Sequence, residues 1–149
     1  MNTRNRACGA LLAFASMLLL TGVATAADRP YTEGPVSVVN SIRTEPGMFD
    51  AYMKFLSTNW KTQMEEQKAA GIIVDYKVYT TTPRGPDDPN IYLVTTYKNM
   101  AAMDGMADKT EAMTQKMYGD VNQRSAAAIE REKMRKQMGS QMLREQILK

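Results

Sequence analysis

The chain contains no histidine. That absence excludes Ser-His-Asp and Cys-His nucleophilic catalysis, HExxH zinc sites and histidine-ligated haem. Any acid–base work falls to Asp, Glu, Lys or Tyr. The single cysteine, Cys8, lies in a segment expected to be removed, so the mature protein is expected to form no disulfide. No glycine-rich phosphate loop occurs, which leaves nucleotide binding without support. An excess of one charge is also lacking. Two of the 19 Lys+Arg and none of the 16 Asp+Glu fall in residues 1–26, leaving 17 against 16 and a net charge of +1. That balance carries no electrostatic footprint for nucleic acid, and no nucleic-acid partner is expected.

What is present begins with a short basic region, Arg4 and Arg6, followed by the apolar run ALLAFASMLLLTGV and by Ala24-Thr25-Ala26. The order basic, apolar, small-x-small describes a secretory signal peptide cut after Ala26. The apolar run is shorter than the roughly 20 residues that span a bilayer, so no stable membrane anchor is expected after cleavage. Cys8 precedes the run, which argues against a lipid anchor there. The expected organisation is a signal peptide over 1–26, a flexible lead-in over 27–34 and one domain over 35–149. The expected location is the bacterial periplasm, or the medium.

Within the domain, hydrophobic periodicity predicts a strand over Val36 to Arg43, with Val36, Val38, Asn40 and Ile42 on one face. Glu45-Pro46-Gly47 breaks it. Phe49, Tyr52, Met53, Leu56, Trp60 and Met64 then recur at three- and four-residue steps, which predicts an amphipathic helix from about Met48 to Ala70, stopped by Gly71. Strands are predicted over Ile72 to Thr80 and Ile91 to Tyr97, joined by the proline-rich loop TTPRGPDDPN. Asn99 is a good N-cap for a helix over Met100 to Tyr118. A further helix is predicted from Asp120 to about Gln137, ended by Gly139, with Glu130-Arg131-Glu132-Lys133 as a solvated face and Glu132 paired to Lys136. The segment SQMLREQILK could continue the helix or form a strand; the Gly139-Ser140 breaker and the need for a fourth strand favour a closing strand.

Strand, helix, strand, strand, helix, helix, strand is the ferredoxin-like order of two split β-α-β units. On three segments, VVNSIRTEPGMFDAYMKFL, YLVTTYKNMAAMDGM and LREQILK, the chain resembles the dimeric α/β-barrel superfamily, which includes the antibiotic-biosynthesis-monooxygenase-like domains. The resemblance implies an α+β homodimer whose sheets pack face to face, with a pocket between each sheet and its helices. Members range from cofactor-free oxygenases to isomerases, haem enzymes and proteins without known activity. Many carry a histidine in or near the second helix. This chain has none, and its helix from Asp120 is additional.

Five polar or aromatic residues on apolar faces form the candidate pocket: Asn40, Tyr52, Trp60, Tyr76 and Tyr97. A polar residue such as Asn40 on a buried strand face must find hydrogen bonds, from backbone or from a ligand. The phenols and the indole N–H supply the few polar groups that orient an apolar ligand, and a buried tyrosine could donate a proton. Each taken singly is also an ordinary core residue. Arg43 and Arg144 could together hold a carboxylate or form surface ion pairs. Asp75 and Lys77 read as an outward charge pattern, and Asp87-Asp88 as a solvated turn with too few oxygen ligands for calcium. Residues 27–149 hold 11 of the 13 methionines. Met100, Met103 and Met106, and Met134, Met138 and Met142, have helical spacing, which suits core filling or, in an exported protein, a Cu(I) site. The leading expectation is an exported small-molecule-binding domain for a hydrophobic ligand, with cofactor-free catalysis left open and no cofactor or metal required. The alternatives are a non-catalytic dimeric structural domain and a methionine-based copper protein.

Overall fold

A computed structural model describes residues 29–149; the expected signal peptide lies outside the described residues. The elements run β1 (Tyr31–Thr44), α1 (Phe49–Phe55), a π-helical turn (Leu56–Trp60), α2 (Lys61–Ala69), β2 (Asp75–Thr80) and β3 (Ile91–Tyr97). A 3₁₀ turn (Met100–Met103), α3 (Met106–Tyr118), α4 (Val121–Glu132) and β4 (Arg135–Leu148) complete the chain. The strands form one antiparallel sheet in the order β2-β3-β1-β4. Two interleaved β-α-β units with β1 and β3 at the centre define the ferredoxin-like α+β fold. One chain leaves this sheet open, with β2 and β4 as its edges, so it forms no barrel by itself; a barrel would need a second copy.

Strand alternation sets the core. Ile42 lies opposite Ile91 and Asn40 opposite Leu93, so these four side chains share a sheet face. Ile42, Ile91 and Leu93 pack with Tyr52 and Leu56 of the first helical segment, and Val36, Ile42, Ile91 and Tyr52 are fully buried. Each such side chain contributes about 1.5–3 kcal/mol by leaving water. The predicted apolar stripe therefore holds, except that Phe49 is 39% exposed. The helix is continuous but not regular. The π turn at Leu56–Trp60 coincides with Ser57 and Thr58, whose hydroxyls donate back to the Lys54 carbonyl at 2.9 Å. Such back-bonding bends helices, and a π turn rephases the faces on either side. Here it carries Trp60 to the half-buried side.

Several boundaries differ from the sequence reading, each for a tertiary reason. β1 starts at Tyr31 within the expected lead-in, because Tyr31 to Glu33 pair with Leu148 to Gln146. Gly34 and Pro35 mark an irregularity in that ladder instead of preceding it. A Cβ on Gly34 would lie 3.1 Å from the Glu145 Cβ, so close approach of two strands accounts for glycine there. β2 begins at Asp75, not Ile72. The helix predicted over Met100 to Tyr118 is divided at Gly105, whose φ of +65° turns the chain between the 3₁₀ turn and α3. Asn99 caps the 3₁₀ turn, its side chain accepting from the Ala102 N–H at 2.9 Å.

The largest difference lies at the C-terminus. A helix was expected to reach Gln137, and Arg135 to Gln137 instead open β4. Met, Arg, Lys and Gln favour helix locally, but pairing along β1 supplies a full ladder of backbone hydrogen bonds and overrides that preference. Gly139 is not a stop; it pairs with Ser41 beside a register shift. Lys136 is consequently on the strand, and Glu132 pairs with Arg135 at 3.1 Å. Met138 and Met142 also lie on β4, and Met134 in the turn before it, so their four-residue spacing is not a helical stripe.

Ile42 is the residue through which the central strand seals the core. Ile42→Ala should lower unfolding free energy by about 2–5 kcal/mol, whereas Val121→Ala, at a position 69% exposed, should change it by less than about 0.5 kcal/mol. Denaturant titration of both variants checks the contrast.

Candidate functional site

A cleft of about 170 Å³ opens between the helix-covered face of the sheet and the helices. Its walls come from every layer. Asn40 and Leu93 rise from β1 and β3; Tyr52, Phe55, Trp60 and Gln63 descend from the first helical segments; Tyr118 and Arg131 come from α3 and α4; Arg135 and Gln137 come from β4. A second recess of about 210 Å³ shares Gln63, Tyr118 and Arg131 with it and adds Arg124. The two adjoin along those shared side chains.

Three of the five expected pocket residues, Asn40, Tyr52 and Trp60, meet in this cleft. Tyr76 and Tyr97 do not line it. Tyr76 stands behind Trp60, edge-on at 5.3 Å between ring centroids, and donates its phenol hydrogen to the Glu65 carboxylate. It positions the indole without facing the cavity. Tyr97 pairs with Val36, four rungs along the sheet from Asn40. The strand registers put these side chains on one sheet face, but alternation within a strand does not say how far apart along that face they lie.

Electrostatics is what the sequence reading missed. Arg135 is 8% exposed, and its guanidinium lies 5.7 Å from the centroid of the Tyr52 ring. Arg131 holds the same relation to Phe55 at 6.0 Å. Tyr52 and Phe55 are themselves stacked at 5.9 Å. Two cations thus sit over two stacked rings, an arrangement worth about 0.5–2 kcal/mol per pair. Arg124, further along, grips Glu111 through two hydrogen bonds of 3.0 and 2.8 Å. Among the described residues, the buried side-chain nitrogen and oxygen atoms lacking a hydrogen-bond partner are three, and all are arginine Nε atoms of this cleft: Arg124, Arg131 and Arg135.

Arg131 was expected on a solvated face. Its neighbours do face water, Glu130 and Lys133 pairing at 2.6 Å, but α4 turns Arg124, Ala127, Ala128 and Arg131 inward as its half-buried stripe. The i, i+3, i+4, i+7 pattern was in the sequence; small and basic residues in place of large apolar ones concealed it. Arg135 could not be found this way, because it lies in the segment whose secondary structure was misread.

The cleft's phenols are hydrogen-bond donors at neutral pH. Burial pushes the Tyr52 hydroxyl above its ordinary value, against the opposing pull of Arg135 and Arg131. Burial does the same to Tyr118, against Arg131. Asn40 Oδ1 accepts from Gln137 Nε2 at 3.4 Å, a long contact that leaves amide capacity for another partner. The arrangement offers guanidinium, phenol and amide hydrogen bonds beside Trp60, Phe55 and Leu93. It suits binding and orientation, with Tyr52 the candidate proton donor.

The other expected sites separate. Arg43 Nη1 donates to the Asp88 carbonyl at 2.9 Å, whereas Arg144 pairs with Glu33 at 2.7 Å. Arg43 pairs with Lys136 near one end of the β1–β4 ladder and Arg144 with Val36, seven residues of β1 away, so they cannot share a carboxylate. Arg43 instead borders a shallow cleft of about 570 Å³ beside the proline-rich loop. That cleft is larger, but it holds none of the converging polar groups described above. Asp75 pairs with Lys68 at 3.1 Å and Lys77 at 3.7 Å, and the Lys68 hydrogen bond holds its carboxyl below the usual range.

No protein-family model matches the chain, and a search of curated proteins finds no match. Among solved structures, it is similar to HapK from Hahella chejuensis at 11% identity and a TM-score of 0.48, covering 72% of this chain and 90% of that one. It is also similar to a dimeric ferredoxin-like protein from an uncultured marine organism at 10% identity and a TM-score of 0.49, covering 79% and 98%. A second such marine protein gives 10%, 0.48, 79% and 90%. These likenesses concern the fold. The ferredoxin-like assignment stands on the strand order and connectivity described above.

The Tyr76–Glu65 contact has a measurable consequence. Hydrogen bonding to Glu65 pushes the Tyr76 phenol from its ordinary 10.0 up to about 12. A group whose folded value is raised contributes stability that is complete below the unfolded value and is lost as pH climbs through the folded one. Wild-type protein should therefore lose more stability than Tyr76→Phe between pH 10 and about 12. Alkaline unfolding curves, with phenolate absorbance recorded alongside, check this.

Proposed function

We propose that this chain is an exported domain that binds a small molecule in the cleft beneath α4 and works as a homodimer. The observation that carries the reading is convergence. Asn40, Tyr52, Trp60, Tyr118, Arg131 and Arg135 come from six elements and meet around one cavity. A domain with only a structural role has no use for unpartnered polar atoms under its helices, because each costs free energy where an apolar side chain would not. Tyr52 could serve a cofactor-free proton transfer to such a ligand; binding alone accounts for the rest.

Self-association is supported by what one chain leaves uncovered. The helices occupy one sheet face. The other presents Val39, Val94, Tyr92, Tyr79 and Leu143, placed together by the registers of β1, β2, β3 and β4. Two large apolar side chains of β4 on this face, Leu143 and Ile147, are each about half exposed. A second copy packed on this surface would remove them from water. Export rests on the basic, apolar and small-residue order of 1–26. Among the described residues, no helix is long and apolar enough to cross a membrane.

Native mass spectrometry of protein recovered from the exported fraction tests the whole reading. The expected species is a dimer of chains beginning at Ala27, carrying extra small-molecule mass. Tyr52→Phe and Trp60→Ala should shed that mass while remaining folded. A bare protein whose Trp60 fluorescence no small molecule perturbs would support the purely structural alternative. Leu143→Glu should shift the dimer toward monomer by placing a charge in the interface; an unchanged dimer would move the interface elsewhere.

A further inference from the structure

Among the described residues, Arg131 has no counter-ion: it makes no ion pair with a carboxylate, and its one short-range partner is the Phe55 ring. The acids on either side of it are engaged elsewhere, Glu130 with Lys133 at 2.6 Å and Glu132 with Arg135 at 3.1 Å. The next arginine on its helical face, Arg124, is neutralised by Glu111. The cleft wall contains two arginines and neither aspartate nor glutamate. A half-buried cation in such a place is held against its own desolvation. It also keeps a buried Nε without a hydrogen-bond partner, as does Arg135, whose side chain is 9% exposed. The guanidinium planes are held over Phe55 and Tyr52, which limits their freedom before a ligand arrives.

The rest of the cleft wall includes the apolar side chains Trp60, Phe55 and Leu93. The cleft's volume of about 170 Å³ is that of about five or six liquid water molecules. It is below the usual range for drug-sized ligands. A single ring bearing one acidic group is of the size such a space would take up.

We propose that the cleft binds a small aromatic or otherwise flat carboxylic acid, with Arg131 as the carboxylate anchor and Trp60 and Phe55 against the ring. This rests on the cleft being the ligand site, and it changes the expected ligand from a hydrophobic neutral molecule to an anion. Arg131 supplies the missing charge pair. Tyr52, Tyr118 and Gln63 lie within the same wall as further donors. Arg135, already paired with Glu132, adds positive potential and holds Tyr52 in place.

The test compares benzoate with benzamide, equal in shape and different in charge, by Trp60 fluorescence and calorimetry. The proteins are the wild type, Arg131→Leu and Arg131→Lys. Wild type should prefer benzoate by about ten- to a hundredfold, the range expected for charge-assisted hydrogen bonds. Arg131→Leu should lose that preference and keep its weak benzamide binding. Arg131→Lys should recover part of it. Without ligand, Arg131→Leu should melt at the wild-type temperature or above it, since an uncompensated charge is removed; a purely structural arginine would give a lower melting temperature. Equal binding of the two probes by wild type, or an intact benzoate preference in Arg131→Leu, would overturn the anion assignment and leave the cleft as the site. If neither probe nor any other small ring compound alters Trp60 emission, the cleft itself is not the ligand site and both readings fall.

Discussion

The antiparallel ladder between β1 and β4 is the constraint on which the rest of the molecule depends. Both strands are 14 residues long, and β1 pairs with β3 along its other edge. A strand hydrogen-bonded on both sides satisfies its backbone internally, which allows Val36 and Ile42 to be sealed under the helices. The ladder also ends α4. Residues that would extend it instead turn and align with β1, and the turn places Arg135 beneath Tyr52 instead of in solvent. Without that pairing there would be no floor to the cleft and no second cation in it.

Charge distribution within the cleft follows from the same geometry. α4 lies across the opening with its stripe of Arg124, Ala127, Ala128 and Arg131 facing inward. The two alanines allow close approach, and the arginines reach past them along aromatic faces. Each arginine is held differently: Arg124 by a carboxylate fork, Arg135 by Glu132 and Tyr52, Arg131 by Phe55 alone. The aliphatic stems bury apolar surface while the head groups keep their charge. A pocket so made is positive and apolar at once, and recognition by it would depend on both properties.

The irregular turn in the first helix serves the same site. A regular helix from Met48 to Ala70 would keep Tyr52, Leu56 and Trp60 on one steadily drifting stripe. The π turn inserts an offset between the core contacts of Leu56 and the side chains that follow. Trp60 then meets Tyr76 edge-on, and Tyr76 is tied to Glu65. The indole is fixed from behind by a residue that never touches the cavity, which is how a flat wall is kept rigid without filling the space in front of it.

The sequence by itself determined the order of elements, the face that each strand buries, and most of the first helix. These follow from periods of 2.0 and 3.6 residues, which are local properties of the backbone. It also led to Asn40, Tyr52 and Trp60, because a polar or aromatic group on an apolar stripe is visible without a fold. It could not tell that Tyr76 and Tyr97 lie outside the cavity, since distance along a sheet depends on register between strands remote in the chain. It could not show that Arg131 faces inward, because the charge run around it looks like any solvated helix face. Only tertiary structure decided those points, and it also decided where α4 ends. The local preference of Arg135 to Gln137 for helix is a few tenths of a kcal/mol per residue, about the size of ordinary propensity differences. Pairing with β1 replaces it with backbone hydrogen bonds that no local segment can supply.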